Sequence, residues 1–536
     1  MKLIAIFVLI ISISCLEMNA QVVQEWIQSY DGIGVGNNFP QKMLIDRDGN
    51  IIVAGNSDSV FDYDYIVLKY SHSGNLIWKN RYNSSANSYD YLMDMVLDDS
   101  SNVYVTGECD EGPTLGEVNW VTIKYNKYGE MKWKRSMNWT GNRTDEPFGM
   151  NIDRNRNIYV VGFGKPVNNN NYRQMMTVKY SSNGDSLWSV LYRSITNTVD
   201  WGYSVVTDSL NNVYSSGYAL IPTGNELVTI KYDSLGNEKL VRRQQTNDGD
   251  YLRPALSAID KSGNIIVVGN SNFSNNGDFA TYKYNPDGIL LWNRVYNGGN
   301  IDRANRLFID SSSNILITGF TFIDTYGDYL ILKYSGDGDT LLLTHINGDS
   351  PFATDETYDI LSDRSGNIYV TGYSGSVSLT IKLTPLGDTV WTKVYRSPRS
   401  SVGYCLALDN SENLYVSNQS EITSTNVAIV TIKYSQLTAT GAYSSSIANS
   451  FQLFQNYPNP FNPRTIINYK LRVTGFTNLK IYDVLGNEVA TLVNEMKNPG
   501  NYSVEFDGSN FSSGIYFYRL EIEGNMIDTK RMVLLK

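Results

Sequence analysis

Residues 46–55 read Asp-Arg-Asp-Gly-Asn-Ile-Ile-Val-Ala-Gly, and residues 69–78 read Lys-Tyr-Ser-His-Ser-Gly-Asn-Leu-Ile-Trp. Together they form one unit that the chain repeats. The Asp-x-x-x-Asn element, followed by apolar residues, occurs eight times at intervals of 46 to 55 residues. The first residues of these elements are Asp46, Asp98, Asp153, Asp208, Asp260, Asp310, Asp363 and Asp409. A recurring period of this length indicates a repeat architecture.

Three further features recur in step with these aspartates. A glycine follows the Asn by five residues in seven copies: Gly55, Gly107, Gly162, Gly217, Gly269, Gly319 and Gly372. A lysine stands near the end of the next alternating run in every copy: Lys69, Lys124, Lys179, Lys231, Lys283, Lys333, Lys382 and Lys433. A turn then leads to a tryptophan in five copies: Trp78, Trp133, Trp188, Trp292 and Trp391. Each unit thus holds four short alternating runs, and four-stranded units of this length are typical of β-propeller blades.

The last copy ends at Tyr434 without a fourth strand that carries tryptophan. The missing strand is found at the other end of the chain, where residues 25–30, Glu-Trp-Ile-Gln-Ser-Tyr, match residues 291–296, Leu-Trp-Asn-Arg-Val-Tyr. We therefore expect residues 24–30 to form the outer strand of the final blade, which would remove an open sheet edge. The prediction is an all-β, eight-bladed β-propeller over residues 21–434, closed by the N-terminal strand. Seven blades with one degenerate copy is the alternative.

Composition excludes several functions. The 536-residue chain has a formal net charge of -10 and only two histidines, His72 and His345. Two distant histidines exclude a histidine-cluster metal site, and the acidic balance argues against a nucleic-acid partner. There is no Gly-x-Ser-x-Gly elbow, phosphate-binding glycine loop or paired-cysteine spacing, so we predict no catalytic residue, metal ligand or cofactor. Cys109 and Cys405 are interpreted as separate core residues, with a disulfide between them as the alternative.

The N-terminus is typical of an export signal. Lys2 is followed by an apolar stretch, Leu3 to Ile13, which is too short to span a bilayer as a helix. We therefore predict a signal peptide over residues 1–20, and a lipid anchor on Cys15 is the alternative. No later segment has eighteen consecutive apolar residues, so no transmembrane segment is expected in the mature protein.

The C-terminal part of the chain has a different pattern. Residues 435–450 are rich in Ser, Thr, Ala and Gly, which is typical of a flexible linker. Residues 451–536 begin with closely spaced prolines and continue with short alternating runs near 465–471, 477–484, 500–506 and 514–523. This pattern predicts a small immunoglobulin-like β-sandwich.

Two families resemble these regions. The sequence Asp-Arg-Ser-Gly-Asn-Ile-Tyr-Val-Thr-Gly at 363–372, together with Lys-Tyr-x-x-x-Gly-x-x-x-Trp, resembles the bacterial β-propeller repeat of secreted and surface proteins. The similarity covers residues 40–434. The spacing between glycine and tryptophan is also similar to the tryptophan-docking repeats of quinoprotein-type propellers. Such a motif is a structural clip and implies no activity.

The tail resembles the type A C-terminal sorting domain of the type IX secretion system. The residues that carry this resemblance are Tyr457, Pro458, Asn459, Pro460, Phe461, Gly486, Gly514, Tyr516 and Lys530. The resemblance implies export through the outer membrane by the type IX translocon and removal of the tail by a sortase-like peptidase. It also implies that the protein is secreted or held at the outer-membrane surface.

A propeller offers two faces for function. The Asp-x-x-x-Asn and Lys-Tyr turns are nearly uniform, and we expect exposed Lys–Asp ion pairs there, worth about 0–1 kcal/mol each. The opposite loops vary, and variable loops on a rigid scaffold are where recognition usually occurs. A periodic acid precedes the inner strand on that face: Asp90, Asp145, Asp200, Asp250, Asp302 and Asp355. These residues are either ligands for a cation or polyol at the channel mouth or structural acceptors for backbone N–H groups, and we favour the second interpretation.

We therefore predict a non-catalytic binding or scaffold protein of the cell surface or medium. Its ligand would be a surface polysaccharide or a protein, bound on the face with variable loops. The alternative is a glycosidase-like, carbohydrate-active enzyme that uses carboxylates at the channel mouth, since such enzymes need only two acids about 5–9.5 Å apart.

Overall fold

The structure is a computed structural model that consists of β-strands, turns and loops, with no helix among the residues it describes. It divides into two units, Met1–Thr438 and Ala439–Lys536. The described residues are 21–32, 36–58, 63–84, 89–111, 118–138, 145–164, 173–194, 199–221, 224–246, 255–271, 277–299, 301–322, 326–348, 353–437, 452–453, 456, 459–471, 475–497, 500–522 and 525–536. The predicted signal peptide, residues 438–450 of the predicted linker, Asp250, Tyr457 and Pro458 lie outside them.

The first unit contains 32 strands within the described residues. Sheets 1 to 4 are preceded by β1(Gln21–Tyr30) and comprise β2(Gly36–Ile45), β3(Ile51–Asp58), β4(Tyr63–Tyr70), β5(Leu76–Tyr82); β6(Asp90–Leu97), β7(Val103–Asp110), β8(Val118–Tyr125), β9(Met131–Met137); β10(Glu146–Ile152), β11(Ile158–Gly164), β12(Gln174–Tyr180), β13(Ser186–Tyr192); β14(Val199–Thr207), β15(Val213–Ile221), β16(Gly224–Tyr232) and β17(Glu238–Thr246).

Sheets 5 to 8 follow the same plan, except that sheet 8 takes only three strands from this part of the chain. They comprise β18(Leu256–Ile259), β19(Ile265–Ser271), β20(Asp278–Tyr284), β21(Leu290–Tyr296); β22(Asp302–Ile309), β23(Ile315–Phe322), β24(Gly327–Tyr334), β25(Thr340–Ile346); β26(Asp355–Ser362), β27(Ile368–Ser374), β28(Val377–Leu383), β29(Thr389–Tyr395); β30(Ser400–Leu408), β31(Leu414–Thr423) and β32(Asn426–Leu437).

Neighbouring sheets share hydrophobic cores. Within each sheet, consecutive strands pair antiparallel, from the first, which we call inner, to the last, which we call outer. The inner strands contact one another in chain order, and the inner strand of sheet 8 also contacts that of sheet 1. Hydrophobic clusters join sheets 1 and 2, 2 and 3, and so on, and a further cluster with Met43 and Cys405 joins sheets 8 and 1. These are the contacts of many four-stranded sheets packed as in a propeller.

The N-terminal strand supplies the fourth strand of sheet 8. It pairs antiparallel with β32, with Trp26 opposite Lys433 and Tyr30 opposite Ile429. A short parallel pairing of Gly36 with Asn426 then links sheet 8 to sheet 1, so that the two form one eight-stranded sheet. β32 extends to Leu437, so residues 435–437, which the sequence assigned to the linker, pair with the start of β1 instead.

The Asp-x-x-x-Asn segments are tight turns between the inner and second strands. Asp46 Oδ1 accepts backbone N–H bonds from Asp48 and Asn50, each at 2.9 Å, and Asn50 Nδ2 donates to the same carboxylate. The third position after the aspartate requires a positive φ, which Gly49 supplies at 79°. The turn is therefore held together by its own side chains, which explains its recurrence.

The repeat glycine has a role that the sequence did not reveal. Opposite it, the inner strand carries a β-bulge, for example between Leu92 and Asp94 opposite Gly107. A Cβ on Gly107 would lie 2.1 Å from Tyr91 O, and Gly55 and Gly319 meet equally close carbonyl oxygens. The glycine is needed because the bulged strand approaches it too closely for a side chain.

The lysines differ from the expectation. Lys69 Nζ lies 2.7 Å from Asp46 Oδ2, and the two side chains are only 3% and 0% exposed. Its ammonium group also donates to Lys127 O, in the turn of the next sheet, at 3.1 Å. The prediction of exposed pairs was therefore wrong for Lys69, Lys283, Lys333 and Lys382, whose side chains are at most 9% exposed in their ion pairs.

The outer-strand tryptophans link sheets in the same way. Trp133 Nε1 donates to Ser182 O in the next sheet at 3.1 Å, and its ring covers Gly184, where a Cβ would lie 2.8 Å from the ring. Trp26 makes the corresponding bond to His72 O at 3.1 Å, so the N-terminal strand docks as the other outer strands do. Trp391 has no such turn to reach, and Gln436 accepts the bond from Lys382 there.

The second unit contains two sheets within the described residues. Their strands are β33(Gln452–Leu453), β34(Arg464–Leu471), β35(Gly475–Tyr482), β36(Glu488–Lys497), β37(Gly500–Asp507), β38(Gly514–Ile522) and β39(Asn525–Leu534). The orders are β33-β34-β37 and β36-β35-β38-β39, and both sheets contribute to one hydrophobic cluster. The sequence missed β36, in which polar and charged residues break the alternation.

Both remaining cysteines are free and buried. Cys109 lies in sheet 2 and donates to Tyr65 Oη at 3.2 Å, whereas Cys405 lies in sheet 8 against Met43. They belong to different hydrophobic clusters, so the interpretation as separate core residues is confirmed and the disulfide is not formed.

Candidate functional site

The two edges of the sheets differ in chemistry. We call the edge with the Asp-x-x-x-Asn and Lys-Tyr turns the uniform face. The opposite edge, with the loops from second to third strand and the crossovers between sheets, is called the variable face. Its loops range from two residues between β27 and β28 to nine residues between β11 and β12. Specific recognition of a ligand is expected on the face whose loops vary, because variable loops on a rigid scaffold usually carry binding residues.

The periodic aspartates lie at the crossovers of this face and are buried. Asp90, Asp145, Asp200, Asp302 and Asp355 are each at most 1% exposed. Four of them accept a bond from a backbone N–H in the crossover that precedes their own strand. The four donors are Ser84 N, Ser194 N, Gly298 N and Gly348 N. The contacts are those of a residue that fixes the crossover, which is the structural interpretation.

The environment of these carboxyl groups favours their neutral form. Burial raises the pKa of Asp90 and of Asp200 to about 6, although the bonds from Ser84 and Ser194 oppose the shift. Burial also raises the pKa of Asp302. Their burial, rather than the shift, is what argues against cation binding, because a cation would need accessible carboxylates.

Aromatic side chains cluster next to these aspartates on sheets 1 and 2. Phe39, Tyr63, Tyr89 and Tyr91 form what we call the mouth cluster. Tyr89 and Tyr91 stack at 5.7 Å and 12°, and Tyr63 meets both rings edge-on at 5.8 and 5.9 Å. Tyr89 is 39% exposed, so the packed cluster presents an aromatic surface to solvent. Such a surface suits the apolar face of a ligand.

A second aromatic group stands on sheets 7 and 8. Tyr358 and Tyr404 stack at 4.8 Å and 30°, and Tyr373 packs against Tyr358 at 6.2 Å. Gln41 lies between the two groups: its Nε2 donates to Tyr91 Oη at 3.1 Å, and it lines one cavity with Tyr358 and Tyr404. The aromatic surface therefore extends across sheets 7, 8, 1 and 2.

Two glutamates accompany the mouth cluster. Glu108 pairs with Tyr91 across the sheet, and Glu146 is the first residue of β10 in the next sheet. Burial, and then the charge of Glu146, raise the pKa of Glu108 to about 8. This shift favours the neutral form of Glu108, which can donate a hydrogen bond. The sequence assigned the candidate acids to the aspartate series and missed this pair.

Charged residues of the inner strands form ion pairs between neighbouring sheets. Lys42 of sheet 1 pairs with Asp94 of sheet 2 at 3.1 Å, and Asp94 also accepts Met150 N of sheet 3 at 2.9 Å. Sheets 6, 7 and 8 repeat the arrangement: Arg306 Nε lies 3.0 Å from Asp359, which accepts Leu406 N at 2.8 Å. Each carboxylate thus joins three consecutive sheets.

A cavity of about 270 Å³ opens between these pairs. Its walls are formed by the following residues of sheets 1, 6, 7 and 8: Gln41, Lys42, Met43, Arg306, Tyr358, Asp359, Tyr404 and Cys405. Gln41, Tyr358 and Tyr404 are the extra residues of the inner-strand bulges. The bulges lie opposite Gly55 in sheet 1, Gly372 in sheet 7 and Asn418 in sheet 8, and they direct these three side chains to one place. The sequence analysis did not identify this position, although tyrosine occupies it in sheets 4, 7 and 8.

Metal ligation finds no support in the described part of the chain, where no group of three or more His, Cys, Asp or Glu side chains could hold an ion. Within the same residues, no helix is long and apolar enough to cross a membrane.

The described sorting-motif residues are structural parts of the tail. Phe461 is buried and bonds through its backbone to Val533 and Leu535, and Asn459 Oδ1 accepts Val533 N at 2.8 Å. Pro460 lies in the bend before Phe461, and Gly486 lies in a turn. Gly514 and Tyr516 belong to β38, and Lys530 belongs to β39. Gly486 has a φ of 84° in the turn between β35 and β36, where Asp483 accepts two backbone N–H bonds.

Comparison with known proteins finds two family matches. The model of a secretion system C-terminal sorting domain matches residues 455–534, and that of a β-propeller repeat matches residues 344–377. No curated protein matches the chain.

Several solved structures are similar to the chain at low identity. Sqt1 from Chaetomium thermophilum has a TM-score of 0.47 and 9% identity, with 78% of this chain and 100% of that chain covered. The polysaccharide lyase Uly1 has a TM-score of 0.38 and 8% identity, covering 75% and 90%. The β-propeller domain of the Trilobed protease from Pyrococcus furiosus has a TM-score of 0.37 and 6% identity, covering 68% and 95%. These similarities say nothing of what this chain binds or does.

The two family matches confirm the resemblances drawn from the sequence. The chain carries a β-propeller repeat and the C-terminal sorting domain of the type IX secretion system, which directs it to the cell surface or the extracellular space.

Proposed function

We propose that the chain is an exported, non-catalytic binding protein whose ligand surface is the variable face. The observation that carries the proposal is the aromatic surface of the mouth cluster and of Tyr358 and Tyr404. This surface lies next to the recurring residues, among side chains that differ from sheet to sheet. Exposed aromatic side chains beside polar groups are typical of sites that bind sugars or protein side chains.

The scaffold is an eight-bladed ring closed by the N-terminal strand. The contact of the inner strand of sheet 8 with that of sheet 1 supports it, as does the hydrophobic cluster that the two sheets share. The pairing of β1 with β32 supplies the outer strand of the last blade. A rigid closed ring would hold residues of sheets 7, 8, 1 and 2 at fixed distances, as recognition by several sheets requires.

The tail is an immunoglobulin-like sandwich that acts as the export signal for the propeller unit. Two sheets with one common core support the assignment. Its partners are the type IX translocon and a sortase-like peptidase, and the body then binds a surface polysaccharide or a protein ligand. Neither nucleic acid nor a cofactor is required.

The test uses the exported protein on glycan arrays and in capture of surface material from its own cells. We expect binding that Tyr89→Ala reduces at least about tenfold, because that substitution removes the exposed ring of the stacked pair. Tyr128→Ala is the matched control, since Tyr128 is an exposed tyrosine, 70% accessible, on the uniform face.

Bound glycans recovered at their original length would agree with the absence of catalysis. Equal loss of binding in the two variants, or loss only with Tyr128→Ala, would overturn the assignment of the ligand to the variable face.

A carbohydrate-active enzyme is the second candidate, and Glu108 with Glu146 is the observation that favours it. A neutral acid beside a carboxylate is the pairing that glycoside hydrolysis needs. New reducing ends from a polysaccharide, formed by the wild type and not by Glu108→Gln, would support it. If the wild type forms none, the binding role stands.

A further inference from the structure

The cavity of about 270 Å³ contains more hydrogen-bond donors than the acceptors of the protein use. We propose that it binds one carboxylated sugar ring, with the carboxylate on Arg306 and Lys42 and the ring against Tyr358 and Tyr404. This rests on the proposed function, because it assigns a ligand class to the same face.

Arg306 provides the first part of the argument. Its Nε lies 3.0 Å from Asp359 Oδ1, and its side chain is 38% exposed. Its two terminal nitrogens make no hydrogen bond to the described residues. A guanidinium group has five N–H donors in a planar fork that matches a carboxylate with two parallel bonds. The ion pair with Asp359 fixes the group and leaves this fork for a ligand.

Lys42 adds a second cation to the same cavity. Its Nζ lies 3.1 Å from Asp94 Oδ1, and its side chain is 23% exposed. Both acids are occupied on their other oxygen by a backbone N–H, from Met150 and from Leu406. The acids are thus saturated while the ammonium group keeps unused donors. Each cation of the wall is balanced by one acid, Lys42 by Asp94 and Arg306 by Asp359, so what the cavity offers an anion is the unused N–H donors of these two cations.

The tyrosine pair provides the wall for a ring. Tyr358 and Tyr404 stack at 4.8 Å, and both line the cavity together with Met43. The Tyr404 hydroxyl has no hydrogen-bond partner among the described residues and can bind a ligand hydroxyl. An aromatic and thioether wall opposite two cations suits a ligand with one apolar face and one anionic edge.

Size restricts the ligand further. A cavity of about 270 Å³ lies just below the range of about 300–1,000 Å³ that drug-sized ligands occupy. It therefore accommodates a single sugar ring rather than an oligosaccharide. A hexuronate at the end of a polysaccharide combines the ring, the hydroxyl groups and the carboxylate.

Calorimetry on the full chain tests this with three probes: glucuronate, glucose and acetate. Glucose keeps the ring without the charge, and acetate keeps the charge without the ring. We expect glucuronate to bind with a millimolar Kd, and each of the other two to bind at least about tenfold more weakly. We also expect the affinity for glucuronate to fall as salt is added, because the contact is ionic.

Arg306→Lys is the first variant, since it keeps a cation for Asp359 and removes the planar fork. This substitution should lower the affinity for glucuronate about tenfold and leave the melting temperature unchanged. Tyr404→Leu should weaken glucuronate as well. Its matched control is Tyr203→Leu, because Tyr203 is the bulge residue of sheet 4 and packs against Phe148 at 4.9 Å and 45°, outside the cavity.

Equal affinity for glucuronate and glucose, or an unchanged affinity in Arg306→Lys, would overturn the inference. So would a folded wild type that gives no heat with glucuronate. If glycan capture that depends on Tyr89 persists in that case, only the uronate site fails. If glucuronate binds but no capture depends on Tyr89, the broader assignment of the variable face fails instead.

Discussion

The uniform and variable faces are built from the ends of the same strands, yet they use side chains in opposite ways. On the uniform face one lysine, one aspartate and one tryptophan recur and are buried between sheets, as Lys283, Asp260 and Trp133 are. On the variable face the backbone recurs, with its bulge and its crossover aspartate, while the adjacent side chains differ from sheet to sheet. The repeat thus concentrates stability on one face and leaves the other free for recognition.

This contrast makes a quantitative claim about substitutions. Substitutions of buried residues on the uniform face should lower the free energy of unfolding and leave binding unchanged, because those side chains lie between sheets. Substitutions of exposed residues on the variable face should reduce binding and leave the free energy of unfolding unchanged. Substitutions at five residues test the claim, from the largest expected effect to the smallest, and substitutions at Lys480 and Tyr128 serve as controls.

Trp133→Ala should cost about 3–5 kcal/mol in the free energy of unfolding, because it removes a large buried ring and opens a cavity between sheets 2 and 3. Trp133 is 8% exposed and packs against Tyr104 and Tyr180 at 5.9 and 6.3 Å. Denaturant unfolding measures the change. A cost below about 1 kcal/mol would show that the ring carries no stability at this junction.

Lys283→Met should cost about 3 kcal/mol, because it leaves a buried carboxylate without its cation. Lys283 Nζ lies 2.8 Å from Asp260 and donates to Gly336 O at 2.7 Å. Burial alone would raise the pKa of Asp260, but the bonds from Lys283 and Asn264 and the Lys283 charge lower it. The pair therefore stabilises the fold above the ordinary pKa of aspartate and less as the pH falls below it.

The control for this pair is Lys480→Met, in the tail. Lys480 makes an exposed pair with Glu488, with side chains 28% and 42% accessible, and its loss should cost less than about 0.5 kcal/mol. Equal costs for the two lysines would remove the distinction between buried and exposed pairs.

The sequence was sufficient for the uniform face because every feature there is a fixed residue type at a fixed spacing. The turn at Asp46, the docking of Trp26 on the turn at His72 and the pairing of β1 with β32 all follow from matching one copy to the others. The sequence did not predict which side chains are buried. Whether Lys69 is exposed depends on the neighbouring sheet, and no single copy of the repeat contains that information.

The variable face could not be predicted in the same way. Tyr358, Tyr404 and Gln41 come from three sheets, and although Tyr203 holds the same position in sheet 4, no residue type is common to all the bulges. The bulge has no consensus in the inner strand, and the repeat glycine opposite marks it in sheets 1 and 7 but not in sheet 8, where Asn418 stands there. Similarly, the partnership of Glu108 with Glu146 depends on the contact between two sheets. The aspartates attracted attention because they recur, and the backbone N–H bonds that four of them accept favour a structural role, which stays a prediction.

Asp200 tests that structural role directly. It accepts bonds from Ser194 N at 3.1 Å and Ser194 Oγ at 2.7 Å. Asp200→Ala should cost about 1–3 kcal/mol, since it leaves these donors without an acceptor, whereas Asp200→Asn keeps an acceptor and should cost less.

The pH dependence of Asp200→Asn has a definite sign. Because the folded-state pKa of about 6 exceeds the ordinary 3.8, the wild type loses stability as the pH rises through this interval. The Asn variant, compared with the wild type, should therefore be relatively more stable at pH 7 than at pH 4. Loss of ligand binding in Asp200→Asn, with stability unchanged, would instead make the aspartate a ligand.

Glu108→Gln should leave the free energy of unfolding unchanged at low pH and raise it at high pH, as Asp200→Asn does relative to the wild type. The folded-state pKa of Glu108, about 8, exceeds the ordinary value of 4.5. The wild type is therefore favoured at low pH and loses that stability between about pH 4.5 and 8, whereas a glutamine loses none. Thermal unfolding should show the variant equal to the wild type near pH 4 and more stable at pH 8.5. A variant less stable at pH 8.5 would mean that Glu108 is charged in the fold.

Tyr89→Ala should have the smallest effect on stability, less than about 0.5 kcal/mol, because its ring is 39% exposed and Tyr63 and Tyr91 keep their own contact without it. Tyr128→Ala, on the opposite face, should have an equally small effect. Unfolding measurements therefore cannot distinguish the two tyrosines, and only ligand capture can. A cost of about 2 kcal/mol or more for Tyr89→Ala would assign the mouth cluster to the core, and the variable face would then serve stability as the uniform face does.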